Sequence, residues 1–126
     1  MTTWITICDT CKRDGWEESG MEQTDGEVLA AQIEALTPAD GPVRTRRVSC
    51  LMGCTHGCNI AIQAKGKLAY TLGKFDPADA EAEAAESILG YASLHAASDT
   101  GQVPYRQWPQ GVKGHFITRH QPLPDE

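Results

Sequence analysis

The sequence predicts an α/β fold with a four-stranded mixed sheet, and three observations carry that prediction. The run Trp4-Ile5-Thr6-Ile7-Cys8 is β-branched and aromatic; two segments space apolar residues with the period of a helix; and two short apolar runs flank a Lys65-Gly66 turn. With 126 residues, the chain is one domain by the usual allowance of about 100–200 residues each. Apolar residues at 40%, charged at 22% and aromatic at 6% exclude disordered, collagen-like and membrane compositions.

The elements follow in order. Residues 4–8 read as a core strand that delivers Cys8 at its end. Residues 12–26, rich in glycine and charge and containing Trp16, read as an exposed excursion. The first helix comes next, with Val28, Leu29, Ile33 and Leu36 on one stripe, Asp25 as its cap and Pro38 beyond its end. Val43, Thr45 and Arg47 then alternate with Arg44, Arg46 and Val48 in a second strand ending at Cys50. The runs NIAIQA and KLAYTLGKF form a hairpin, the third and fourth strands. A second long helix opens with Asp76 as cap and Pro77 in its first position, and continues through Ile88, Leu89 and Ala92.

Strand, helix, strand, hairpin, helix gives a mixed sheet with helices on its faces, the arrangement of thioredoxin-like folds. Residues 1–100 are expected to form this domain. Residues 101–126, with four prolines and little periodicity, are expected to be an extended tail packing on the domain or on a partner.

Seventeen acidic against eleven basic residues give a net charge of −6, which argues against a nonspecific grip on nucleic acid or an anionic membrane. The start, MTTWITICDTC, lacks the basic and apolar regions of a signal peptide, and no run approaches the ~18 apolar residues of a membrane span, so a cytoplasmic location is expected.

Five cysteines are too few for a disulfide scaffold, and they fall in two groups, Cys8 and Cys11, then Cys50, Cys54 and Cys58. Thiolates are soft ligands that favour iron-sulfur clusters, zinc and copper(I). Gly53 would let backbone amides approach cluster sulfur closely. A zinc site more often shows paired C-x2-C units or histidines, whereas the second group is C-x3-C-x3-C. Cys8-x-x-Cys11 alone is also the pattern of a thiol-disulfide oxidoreductase, although Lys12-Arg13-Asp14-Gly15 does not begin a convincing helix. Four ligands drawn from five candidates give Cys8, Cys11, Cys50 and Cys54, with Cys58 as the alternate, and a swap of Cys54 for Cys58 stays open.

Among the histidines only His56, between Cys54 and Cys58, has a claim on the site; His95, His115 and His120 read as surface residues. Arg44, Arg46 and Arg47 read as a solvated strand face or as a patch steering an acidic partner, and Glu81, Glu83 and Glu86 as the outer face of a helix. Trp16 and Trp108 suit either core packing or a partner surface. No Ser-His-Asp spacing or nucleotide-binding glycine pattern is present to support a hydrolase or dehydrogenase.

The segment from Cys50 through Ala82 resembles the second half of thioredoxin-like [2Fe-2S] ferredoxins, with Cys58 standing where that pattern has proline and Cys11 closer to Cys8 than the family's second ligand is to its first. Nearly the whole chain is similar to a bacterial family of predicted metal-binding proteins of unknown function. Cys8, Cys11, Cys50, Leu51, Cys54, Gly57, Cys58, Gly66-Lys67, Tyr70, Gly73, Pro77 and Tyr91 carry that likeness, and Tyr105, Trp108-Pro109, Arg119 and Pro122 echo it less tightly in the tail. The resemblance implies a non-enzymatic electron carrier with one [2Fe-2S] cluster, a redox partner protein, a homodimer and a link to cobalamin-related metabolism. A metal-handling protein for zinc or cobalt, or a thiol-disulfide oxidoreductase using Cys8 and Cys11, stands as the alternative.

Overall fold

A computed structural model describes residues 2–9, 24–49, 59–75 and 83–122. Their strands are β1 (Thr3–Cys8), β2 (Val43–Val48), β3 (Ile60–Ala64), β4 (Ala69–Leu72) and β5 (Phe116–His120), and their helices α1 (Asp25–Leu36) and α2 (Glu83–Ala97). The strands form one mixed sheet in the order β2-β1-β3-β4-β5. β1 lies parallel to β2, with Thr3 opposite Val43 and Cys8 opposite Val48, and antiparallel to β3, with Ile5 opposite Ile62. The parallel pair is joined through α1, as a crossover connection requires. β3 and β4 form the expected hairpin, where Gly66 takes a φ of 75° that favours glycine.

The sheet has five strands, not four. β5 pairs antiparallel with β4 along the edge, through an irregularity between Thr71 and Leu72. Its sequence, Phe-Ile-Thr-Arg-His, hides it: an edge strand carries charged and polar residues facing water, and only the half-buried Phe116 and Ile117 mark it as part of a sheet.

α1 and α2 pack against each other as well as against β1, so both helices cover one face of the sheet and not its two faces. That face supplies Ile5, Ile7, Val43, Ile60, Ile62, Tyr70 and Leu72 to the core, and the helices add Leu29, Ala30, Ile33, Ala85, Ile88, Tyr91 and Ala92. The opposite face carries Trp4, which is 37% exposed, with the Arg46 guanidinium 6.0 Å from its ring centroid. Arg46 also donates to Thr6 Oγ1 at 2.7 Å and to Gln63 Oε1 at 3.3 Å.

The cap of α1 is Thr24 and not Asp25. Thr24 Oγ1 accepts the Glu27 N–H at 3.1 Å while Glu27 Oε1 accepts the Thr24 N–H at 3.3 Å, a capping box that answers two of the orphan donors of the first turn. Leu29, Ala30 and Ile33 form the buried stripe, whereas Leu36 in the last turn is 41% exposed. The start of the second helix at Asp76 and Pro77 lies outside the described residues.

His95 is the other correction, because it is fully buried. Ile88, Ala92 and His95 share one stripe of α2 at i, i+4 and i+7, so the core reaches the imidazole. Its Nδ1 is 3.0 Å from Thr3 Oγ1 and its Nε2 2.7 Å from the Leu68 carbonyl, and a neutral ring donating to Leu68 and accepting from Thr3 satisfies both. Burial pushes its pKa down, and the nearby Lys67 charge pushes the same way. Lys67 Nζ donates to the carbonyls of His95 at 3.1 Å and Ala96 at 2.8 Å, closing the last turn of α2. Beyond α2, two short 3-10 turns at Tyr105–Gln107 and Gln110–Val112 bring Val103, Trp108 and Val112 onto the core. Trp108 is half-buried with its indole N–H donated to the Val103 carbonyl at 2.8 Å, so it serves as packing.

Candidate functional site

Cys8 ends β1 and is 2% exposed. In a parallel pair the carboxyl ends of both strands lie side by side, and here they are the ends at Cys8 and Val48. The Asp9 N–H donates to the Val48 carbonyl at 3.0 Å, and the Ser49 carbonyl lies 3.8 Å from Cys8 Sγ. From the other side of β1, the Asn59 carbonyl accepts the Cys8 N–H at 3.1 Å. Ser49 immediately precedes Cys50 and Asn59 immediately follows Cys58, so both sequence neighbours of the three-cysteine segment meet at Cys8.

α1 closes on the same point. Thr24 Oγ1 donates to the Asp9 carbonyl, and a Cβ placed on Gly26 would stand 2.0 Å from the Cys8 carbonyl oxygen. Only glycine permits that approach. The N-terminus of α1, with Asp25 and Glu27 in its first turn, therefore lies beside the Cys8 backbone.

The arginines of β2 divide between the faces as their alternation requires. Arg47 turns to the helices and holds Glu34 through two hydrogen bonds of 2.9 and 2.7 Å. The Arg47 hydrogen bond holds the Glu34 carboxyl below its ordinary range, and both side chains remain more than one third exposed. Arg46 turns to the other face against Thr6, Gln63 and Trp4, and Arg44 is exposed. His115 stacks on Phe75 with ring centroids 4.4 Å apart and lies 2.9 Å through Nδ1 from the Gly73 carbonyl, and His120 is exposed.

Of the expected ligands, Cys8 is described; Cys11, Cys50, Cys54 and Cys58, with Gly53 and His56, lie outside the described residues, as do Trp16 and Glu81. Among the described residues no group of three or more His, Cys, Asp or Glu side chains is placed to hold a metal ion. No described helix is long and apolar enough to cross a membrane. Gly26 went unread as a site residue. Its sequence signal was a glycine inside the first turn of a helix, where alanine would otherwise be preferred.

No curated protein and no solved structure matches the chain. Residues 5–122 match the model of a family described as a protein of unknown function, DUF1636, and the chain belongs to that family.

Proposed function

We propose that this protein is an iron-sulfur electron carrier in which Cys8, Cys11, Cys50 and Cys54 hold a [2Fe-2S] cluster, with Cys58 as alternate ligand. The observation that carries the reading is the meeting of Ser49 and Asn59 at Cys8, because these are the residues that flank the Cys50–Cys58 segment in sequence. The donor set fits such a group: thiolates are the ligands that iron-sulfur clusters take, and the buried Cys8 is the one already described at the meeting point. When bound, the cluster supplies reversible uptake of one electron.

The chain's own part is to bind and shield. Burial at Cys8 excludes water from one ligand, the glycine at 26 brings the α1 N-terminus close, and a rigid strand end fixes the position of the sulfur. The β2-β1-β3-β4 part of the sheet, with its parallel pair, antiparallel hairpin and following helix, supports a thioredoxin-like architecture. Transfer would be outer-sphere to a redox partner that docks transiently, and a homodimer is part of the reading by resemblance. The thiol-disulfide alternative is less well served, since an attacking thiolate needs access and Cys8 is 2% exposed.

The test is the ultraviolet-visible spectrum of protein purified without oxygen, with iron, sulfide, zinc and cobalt assays. The reading expects broad bands between about 300 and 600 nm, about two irons and two sulfides per chain, and bleaching on reduction. A colourless protein holding one zinc, or one with no metal and two reactive thiols, overturns it.

A further inference from the structure

Away from Cys8, between β5 and the 3-10 turn at Tyr105–Gln107, lies a cavity of about 470 Å³. Its volume falls in the range of small-molecule sites, about 300–1,000 Å³. Four rings line it: Tyr70, Tyr105, Trp108 and Phe116. Tyr105 is 63% exposed at its mouth, while Tyr70 is 6% exposed. The rings are braced against one another, with centroids 4.9 Å apart for Tyr105 and Trp108, 4.5 Å for Trp108 and Phe116, and 5.5 Å for Tyr70 and Phe116. Tyr91 packs edge-on beneath three of them, at 5.8 Å from Tyr70, 5.2 Å from Phe116 and 6.0 Å from Trp108. The Trp108 N–H is already committed to Val103, so this ring is held in place and meets an occupant only through its π surface.

The polar part of the lining sets the sign of the ligand. Arg119, paired across the sheet with Tyr70, is the one charged residue among the described lining residues, and no carboxylate accompanies it. A cation would meet uncompensated repulsion there, even though aromatic cages otherwise suit cations. An anion would meet a planar guanidinium able to grip a carboxylate through two parallel hydrogen bonds. We propose that this cavity binds a small aromatic carboxylate, its ring against Trp108 and Tyr105 and its carboxylate on Arg119. Nothing in this inference depends on the cysteines or on the cluster.

The test is titration of the full-length protein, followed through the Trp108 indole N–H resonance, with phenylacetate, its neutral isostere phenylacetamide, and acetate. Phenylacetate should shift the resonance saturably, the amide should bind about tenfold more weakly for want of the charge-assisted bond, and acetate should leave the resonance in place. Arg119→Gln should bring phenylacetate down to the level of the amide while leaving amide binding unchanged. Tyr105→Ala, which removes the exposed ring at the mouth, should weaken both. No saturable shift with phenylacetate up to about 20 mM, or equal binding of acid and amide by the parent protein, overturns the proposal. So does an Arg119→Gln variant that keeps the preference for the acid.

Discussion

The Cys8 N–H donates to the Asn59 carbonyl at 3.1 Å, so the residue that follows the last cysteine is tied to the residue that carries the first. They are 51 positions apart in sequence, and one hydrogen bond on the β3 side of β1 spans that gap. Sheet register therefore brings the residues that flank the Cys50–Cys58 segment to Cys8.

Substitution should separate ligands from bystanders. Under the electron-carrier reading, Cys8→Ala, Cys11→Ala, Cys50→Ala and Cys54→Ala each remove most of the iron measured per chain, whereas Cys58→Ala retains it. Loss of iron in Cys58→Ala together with its retention in Cys54→Ala would exchange the roles of these two residues.

Gly26→Ala is expected to destabilise the fold by about 3 kcal/mol, since its new Cβ would meet the Cys8 backbone oxygen and neither partner is a flexible side-chain end. Urea unfolding gives the number. An iron content that falls at the same time would show that the α1 contact also holds the Cys8 end in shape.

Acid should weaken the fold through His95. Its pKa is lowered by burial, so above the ordinary value of about 6.5 neither state is protonated and it contributes no pH dependence. Below about 6.5 the unfolded chain takes up a proton that the folded chain does not, and stability falls with pH by at most about 1.4 kcal/mol per unit. Urea midpoints between pH 8 and 5 should decline in the parent protein and flatten in that window in His95→Gln, whose amide can still donate to Leu68.

Tyr91→Phe should stabilise the protein by about 1 kcal/mol. The Tyr91 hydroxyl is buried and makes no hydrogen bond among the described residues; Tyr70 bears on its titration without reaching hydrogen-bond geometry. Burial dominates in pushing its phenol up. Removing an unsatisfied buried hydroxyl recovers its desolvation cost, whereas a loss of stability in thermal unfolding would reveal a bond to that oxygen.

Period and turn chemistry made much of the fold readable. The alternation in β2 already divided Arg47 from Arg46, and the structure sends one to Glu34 and the other to Thr6. The Lys65-Gly66 turn placed the hairpin. What escaped depends on contacts made far along the chain. Phe116–His120 becomes a strand because β4 offers it an edge, and His95 is buried because Thr3 and Leu68, 92 and 27 residues away, supply partners for both ring nitrogens. Asp25 yielded the cap to Thr24 because Glu27 completes a reciprocal pair only with the latter. Of the candidate site, the sequence spacing named the cysteines, but only the parallel register of β1 and β2 explains why Cys8 and Ser49 are neighbours.

The stitching around His95 lies at the opposite end of β1 from Cys8, about 17 Å away along the strand. Thr3, Leu68, Lys67 and the last turn of α2 are knotted there by bonds that involve no cysteine. That end of the domain has its own fastening, so exchange of amide hydrogens at Leu68 and along α2 should stay slow whether or not the thiol end is loaded. Under the electron-carrier reading, a chain built this way folds first at this end and receives its cluster afterwards at the other.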